Sequence, residues 1–94
     1  MLNKVIIEGV IENYRWSSNK KGFYVSIKQT RKFGKTNFVD YFTLYANKPL
    51  SDTLAKYVEE YETITVEGVL RTYQDHKTKQ WKVAIEISEI IVNE

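Results

Sequence analysis

The stretch YFTLYANKPLSDTLAKYVEEYETITVEGVL, residues 41–70, decides the fold because the spacing of its apolar residues changes twice. Residues 41–46 alternate between two faces, as in a half-buried strand, and Pro49 ends the alternation. Residues 50–61 carry apolar side chains at helical spacing. Alternation then returns over residues 63–73. The stretch therefore predicts one short amphipathic helix between two strands.

Strands are also predicted on both sides of this stretch. Residues 2–12 and 23–30 are close to alternating and rich in β-branched or aromatic side chains, and the turn SSNKKG at 17–22 separates them. Gly34 lies in the turn that leads into the third strand. Residues 81–92 supply a fifth strand. The predicted order along the chain is three strands, one helix and two strands.

Two local assignments follow from the same patterns. Ser51 lies at the beginning of the helical spacing and is the expected N-cap. In the fifth strand, Val83, Ile85 and Ile87 form the inward face, and Trp81 opens this run. We therefore assign Trp81 to the core.

The order of elements predicts a fold class. Five short strands with one helix between the third and fourth are expected of an oligonucleotide/oligosaccharide-binding (OB) barrel. An SH3-like barrel is the nearest competitor, but it has no natural place for a helix at that point. We predict an all-β protein with one short helix, a five-stranded OB-fold barrel that occupies residues 1–94 as a single domain.

Composition excludes several classes of function. The chain has no cysteine, which rules out disulfides, a thiolate nucleophile and cysteine-based zinc sites and favours a reducing, cytoplasmic location. No apolar run reaches the length of a membrane span. The single histidine, His76, lies in a polar loop, and the chain contains no phosphate-binding loop motif or nucleophile motif. We expect no enzyme activity, no catalytic residue, no cofactor and no metal.

Charge is distributed unevenly along the chain. The formal net charge is only +2, yet no acidic residue lies between Glu12 and Asp40, a segment that holds seven lysines and arginines. Acidic residues gather elsewhere, as at residues 59–62. One end of the fold is therefore expected to be basic and to face a polyanion, although a solvated lysine-rich surface has the same pattern.

The third strand places Tyr41 and Tyr45 on the face opposite Phe42, Leu44 and Ala46. The second face already supplies a core, so the tyrosine rings are free to form an outer platform. Every nucleobase has a π-face, and aromatic rings on a strand surface bind bases without reading sequence. Cross-strand aromatic packing and an oligomer interface are the structural alternatives.

Five segments in the right order resemble bacterial single-stranded-DNA-binding (SSB) proteins: LNKVIIEG, RW, DYFTLYANK, LAKYV and ITVEGVLRTY. The resemblance covers nearly the whole chain. It implies an OB fold that assembles into dimers or tetramers and binds single strands with little sequence preference. It also implies that Tyr41 and Phe33 occupy base-stacking positions and that Trp16 lies near the aromatic of the first loop.

The chain departs from the SSB pattern at two stacking positions. Asn47 and Asp75 stand where the family commonly has aromatic residues. Tyr45 and Tyr73 lie two residues earlier in each case, on the same strand faces, and are expected to compensate.

Basic residues beside the aromatics are expected to neutralise phosphates. The predicted nucleic-acid-binding residues therefore fall into an aromatic and a basic group: Trp16, Tyr24, Phe33, Tyr41, Tyr45 and Tyr73, and Arg15, Lys28, Arg31, Lys32, Lys35 and Arg71.

The sequence ends at IIVNE, directly after the fifth strand. Replicative SSB proteins continue into a flexible segment with an acidic tip that recruits partner enzymes. We therefore expect a short member without that tail, in an accessory role on a plasmid, phage or other mobile element, or in a priming role.

The expected partner is single-stranded DNA, and RNA is not distinguished from it. A homodimer or homotetramer is expected, since Ile6 and Val10 form an apolar face of the first strand opposite Val5 and Ile7. The alternative is an assembly subunit resembling primosomal replication protein B, which acts mainly through replication or primosome proteins.

Overall fold

The computed structural model describes residues 1–92 and contains five strands and one helix. The elements in chain order are β1 (Val5–Trp16), β2 (Gly22–Phe33), β3 (Thr36–Asn47), α1 (Leu50–Glu60), β4 (Thr63–Gln74) and β5 (Trp81–Ile91). The strands close into a barrel in the order β1-β2-β3-β5-β4, with β4 paired back to β1. The predicted OB-fold class and the position of its helix are confirmed.

The core consists of the inward faces that the alternation predicts. Phe23, Val25 and Ile27 of β2 lie against Leu44 and Ala46 of β3. Side chains from β4, β5 and α1 complete the core: Ile64, Val66, Ile85, Ile87, Leu54 and Val58. The helix packs against β2 and β3 and thereby buries its apolar face.

The first three strands extend beyond their predicted ends. β1 continues to Trp16 through an irregularity between Ile11 and Asn13, and β2 and β3 remain paired out to Phe33 and Thr36. Gly34, with a φ of 64°, forms the turn at the tip. Beyond Lys28, β2 pairs only with β3, so residues 29–40 form a two-stranded arm at the end of the hairpin.

Two core assignments are wrong. Trp81 is 70% exposed and Val83 is 60% exposed, whereas Ile85 and Ile87 are buried as predicted. Trp81 and Val83 pair with Gln74 and Thr72 at the far end of the β4–β5 hairpin. Pairing between β5 and β3 begins only at Ile85, so within residues 1–92 no other layer covers the first residues of β5.

The predicted helix cap is also wrong. Pro49 is the N-cap, and Ser51 lies in the first turn, where it is fully buried. The Ser51 hydroxyl has no hydrogen-bond partner among residues 1–92. The structure instead closes the first turn with a hydrogen bond from the Asp52 N–H to the Pro49 carbonyl, at 3.2 Å.

Candidate nucleic-acid interface

A groove of about 890 Å³ opens on the outer wall of the barrel, between the β1–β2 turn and the β4–β5 turn. Five of the predicted site residues line it together: Arg15, Tyr24, Tyr45, Arg71 and Tyr73. The other lining residues come mostly from the two turns: Ser18, Gln74, Asp75, His76 and Lys77. The face of strands 2 and 3 and these two loops form the usual ligand surface of an OB fold.

Strand register brings the central side chains of the groove into one row. Arg15 pairs with Tyr24, and Tyr24 pairs with Tyr45. Tyr45 in turn pairs with Glu86 of β5. Because directly opposed residues in a sheet share a face, these four side chains stand next to each other.

The aromatic pair is packed on one side by a cation. The Tyr24 and Tyr45 ring centroids are 5.9 Å apart, with the planes tilted by 32°. The Arg15 guanidinium carbon lies 4.7 Å from the centroid of the Tyr24 ring, which is within cation–π range. The row therefore presents two flat rings with a positive charge at its β1 end.

Glu86 lies at the other end of the row and was not predicted. Its Oε1 accepts hydrogen bonds from Arg71 Nε at 2.9 Å and from the Tyr45 hydroxyl at 3.4 Å. Burial, followed by the Glu86 carboxylate, raises the pKa of Tyr45 above its ordinary value. Tyr45 is therefore a neutral phenol at physiological pH.

The groove continues along the outer face of β2 and β3. A smaller hollow of about 140 Å³ shares Arg15, Tyr24 and Tyr73 with it and extends to Ser26 and Thr43. Ser26 pairs with Thr43 in the rung next to Tyr24 and Tyr45 on this face. An extended ligand thus has a continuous path from the turns onto the β2–β3 surface.

Tyr41 and Lys28 occupy the following rung of this outer face. Tyr41 is exposed and borders a separate apolar slot of about 360 Å³, together with Phe42, Thr43 and Val83. Lys28 Nζ lies 2.7 Å from Glu12 Oε1, and this hydrogen bond is the main reason that the pKa of Lys28 is raised.

The arm carries four predicted residues away from the groove: Arg31, Lys32, Phe33 and Lys35. Phe33 is exposed at the tip. Arg31 Nε lies 2.7 Å from Asp40 Oδ2, and the Arg31 guanidinium covers the Phe38 ring at 4.9 Å. By alternation, Arg31 and Phe33 share the ribbon face of Ile27, whereas Tyr41 lies on the other face.

Trp16, also a predicted site residue, points away from the groove. It pairs with Phe23, and their rings meet edge to face at 5.0 Å. Lys48 Nζ lies 5.5 Å from the Trp16 ring centroid. Trp16 therefore points to the face of β1 opposite Arg15 and does not line the groove.

Asp75, one of the two departures from the SSB pattern, shapes a wall of the groove. Its Oδ1 accepts hydrogen bonds from the backbone N–H groups of Lys77 at 2.8 Å and Thr78 at 3.1 Å, and Lys82 Nζ lies 3.2 Å from Oδ2. These backbone hydrogen bonds, followed by Lys82, lower the pKa of Asp75. Tyr73, two residues earlier, lines the groove.

Comparison with known proteins identifies the relatives of this chain. Residues 1–94 match the family described as "Protein of unknown function (DUF3217)". The chain belongs to this family. It is 50% identical over 90 residues to a Mycoplasma pneumoniae protein named "Uncharacterized protein MG376 homolog", an overlap of 96% of this chain and 86% of the relative.

Solved structures add the relationship to SSB proteins. A small single-stranded DNA binding protein from Mycoplasma pneumoniae is 49% identical, with a TM-score of 0.96 over 100% of this chain and 98% of that one. A Plasmodium falciparum SSB in complex with ssDNA shares the fold at 12% identity, with a TM-score of 0.69 over 100% and 96%. The predicted membership of the SSB family is confirmed, and the expected absence of enzyme activity agrees with these descriptions of binding proteins.

Sequence reasoning missed several members of this SSB-family groove. His76, which the sequence places only in a polar loop, lines it with Lys77, Ser18 and Gln74. Their position depends on how two turns distant in sequence meet, which no local pattern reveals. Glu86 had one weak signal, since it is a carboxylate at an outward position between two buried isoleucines.

Within residues 1–92, no three His, Asp or Glu side chains converge closely enough to hold a metal ion. No helix in that part of the chain combines the length and the apolar character needed to cross a bilayer.

Proposed function

We propose that this protein binds single-stranded DNA across the groove between the β1–β2 and β4–β5 turns. The observation that carries the proposal is the Tyr24–Tyr45 pair, which stands between the guanidinium groups of Arg15 and Arg71. Stacking on such rings contributes about 1–3 kcal/mol per base and does not depend on base identity. The DNA-binding description of the Mycoplasma pneumoniae relative supports the same ligand.

A path for the strand follows from the surface. From the groove it crosses Ser26 and Thr43 to reach Tyr41 and Lys28. The arm lies beyond, with Lys32 on the same ribbon face and Phe33 and Lys35 at the tip. Arginines in the groove and lysines on the arm supply the phosphate contacts. Trp16 lies outside this path and stays a separate prediction.

The direct test is fluorescence anisotropy of an end-labelled oligo(dT), titrated with protein over a series of salt concentrations. We expect saturable binding that weakens as salt is added. A plot of the logarithm of the association constant against the logarithm of salt concentration should have a slope of about −0.7 for each phosphate contact. A mixed-sequence DNA oligomer should bind similarly, and an RNA oligomer of equal length measures the preference for DNA. No binding at low salt, or equal binding after Tyr24 and Tyr45 are both changed to Ala, would contradict the proposal.

We also propose a homo-oligomer and an accessory role in DNA replication, repair or recombination in the cytoplasm. Ile6 is 60% exposed and Val10 is 42% exposed on the outer face of β1, and this apolar strip supports an interface between copies. The accessory role predicts that expression of this chain does not rescue cells depleted of their replicative SSB. Full rescue would contradict it.

The alternative is an assembly subunit that acts through protein partners. An exposed apolar surface favours this alternative. It consists of Trp81 and Val83 at the beginning of β5 and lies beside the slot at Tyr41. Copurification of a helicase or polymerase without anisotropy change on oligo(dT) supports this alternative. Tight DNA binding by the isolated protein favours the first proposal.

A further inference from the structure

Half of the basic residues that are predicted to bind phosphate already form ion pairs with carboxylates. Three of the six predicted basic contacts lie within ion-pair distance of an acidic side chain on a neighbouring strand: Lys28 with Glu12 at 2.7 Å, Arg31 with Asp40 at 2.7 Å, and Arg71 with Glu86 at 2.9 Å. A carboxylate offers a cation the same kind of charged oxygen that a phosphate does.

The two arginines of the groove differ in this respect. Arg71 is paired with Glu86, whereas no carboxylate among residues 1–92 lies within 4.0 Å of the Arg15 guanidinium. Arg15 instead covers the Tyr24 ring, and no carboxylate of residues 1–92 balances its charge. Among residues 1–92, therefore, the two groove arginines on either side of the aromatic pair differ: Arg71 is paired with a carboxylate and Arg15 is not.

We propose that Glu86 competes with the DNA phosphate for Arg71 and thereby lowers both the affinity for single strands and its salt dependence. The inference rests on the proposed function. A phosphate that approaches Arg71 meets a guanidinium whose charge is already balanced, so fewer counterions are released there than at Arg15. When Arg71 turns to a phosphate, Glu86 keeps its hydrogen bond from the Tyr45 hydroxyl.

The size of the effect follows from the exposure of the pair. Both side chains are partly open to water, with 57% of the Arg71 side chain and 32% of the Glu86 side chain exposed. Exposed ion pairs are weak, and releasing Arg71 from one raises affinity by about two- to fivefold. A salt slope that steepens by up to about 0.7 accompanies the gain.

The test is a double-mutant cycle on oligo(dT) binding, with E86Q, R71A and the double variant. Glutamine keeps an acceptor oxygen for Arg71 and Tyr45 and removes only the charge. We expect E86Q to bind more tightly than the unchanged protein and with a steeper salt slope. In the R71A background, E86Q should change neither quantity, because the cation that it would release is absent.

Two controls make the result specific. R15A should lower the salt slope by about 0.7. E67Q removes a carboxylate of matched exposure, 30%, that pairs with Lys4 outside the groove at 3.1 Å, and it should leave binding unchanged when the oligomer mass is unchanged. Thermal melts confirm that each variant is folded.

The outcomes separate the two proposals. Unchanged or weaker binding by folded E86Q would overturn the competition and make Glu86 a residue that only positions Arg71. An equal gain from E86Q with and without Arg71, or an equal gain from E67Q, would also overturn it, because a general charge effect would then explain the result. Absence of DNA binding by the unchanged protein at any salt would refute the proposed function itself.

Discussion

Tyr24 and Tyr45 are directly paired across β2 and β3, and their ring centroids lie 5.9 Å apart on the outer wall of the barrel. The neighbours of these two tyrosines in the sequence point the other way, into the core: Phe23, Val25, Leu44 and Ala46. The core therefore holds the two strands in register while the rings remain available to a ligand.

Tyr45→Ala is expected to weaken oligo(dT) binding by about 1–3 kcal/mol, because one stacking surface is lost. Tyr45→Phe keeps the ring and loses only the hydroxyl contact with Glu86, so its effect should be smaller. Anisotropy titrations measure both. Tyr61→Ala is the matched control, since Tyr61 stacks on Tyr57 at 4.4 Å outside the groove. Equal losses in all three variants would contradict the prediction.

Ile6→Glu is expected to convert the proposed oligomer into monomers. Ile6 is exposed on the outer face of β1, and a carboxylate there would have to be desolvated in an interface between copies. Light scattering coupled to a sizing column gives the mass. Val83→Glu, at an equally exposed apolar residue on β5, should keep the original mass, and a mass unaffected by Ile6→Glu would place the interface elsewhere or remove it.

Gly68→Ala is expected to lower the free energy of unfolding by about 1–3 kcal/mol, as overpacking does. A Cβ on Gly68 would overlap the backbone carbonyl oxygen of Glu86, which leaves the strands no room without a shift. Denaturant unfolding measures the change. Gly22→Ala is the control, because its Cβ would meet its nearest neighbours at an ordinary 3.6 Å. Equal stability of the two variants would show that β5 moves freely at Glu86.

Asp75 links stability to pH. Its pKa is lowered from the ordinary value of 3.8 by hydrogen bonds from the backbone of Thr78 and Lys77. A carboxyl with a lower pKa in the folded state stabilises that state above its unfolded pKa and loses this contribution as pH falls through the folded pKa. Unfolding experiments should therefore find wild type more stable than Asp75→Asn at neutral pH, with the difference shrinking below about pH 4. A difference that stays constant down to about pH 2 would contradict this assignment.

The sequence by itself determined the order of the elements and most of the buried faces. Alternation and helical spacing are local properties, so Leu44, Ala46, Ile85 and Ile87 could be assigned to the core before any contact was known. The outward position of Tyr41 and Tyr45 followed in the same way. The resemblance to SSB proteins added the expectation of a single-stranded DNA ligand.

Only the tertiary structure decided which outward side chains meet. The groove joins Arg15, Tyr24, Tyr45 and Arg71 through pairing across β1, β2, β3, β5 and β4, and no single segment contains that register. The same register pairs Arg71 with Ala84 and so places Glu86, two residues further along β5, diagonally within reach of Arg71. Trp81 shows the converse limit, because alternation specifies a face but only another packed layer makes that face a core.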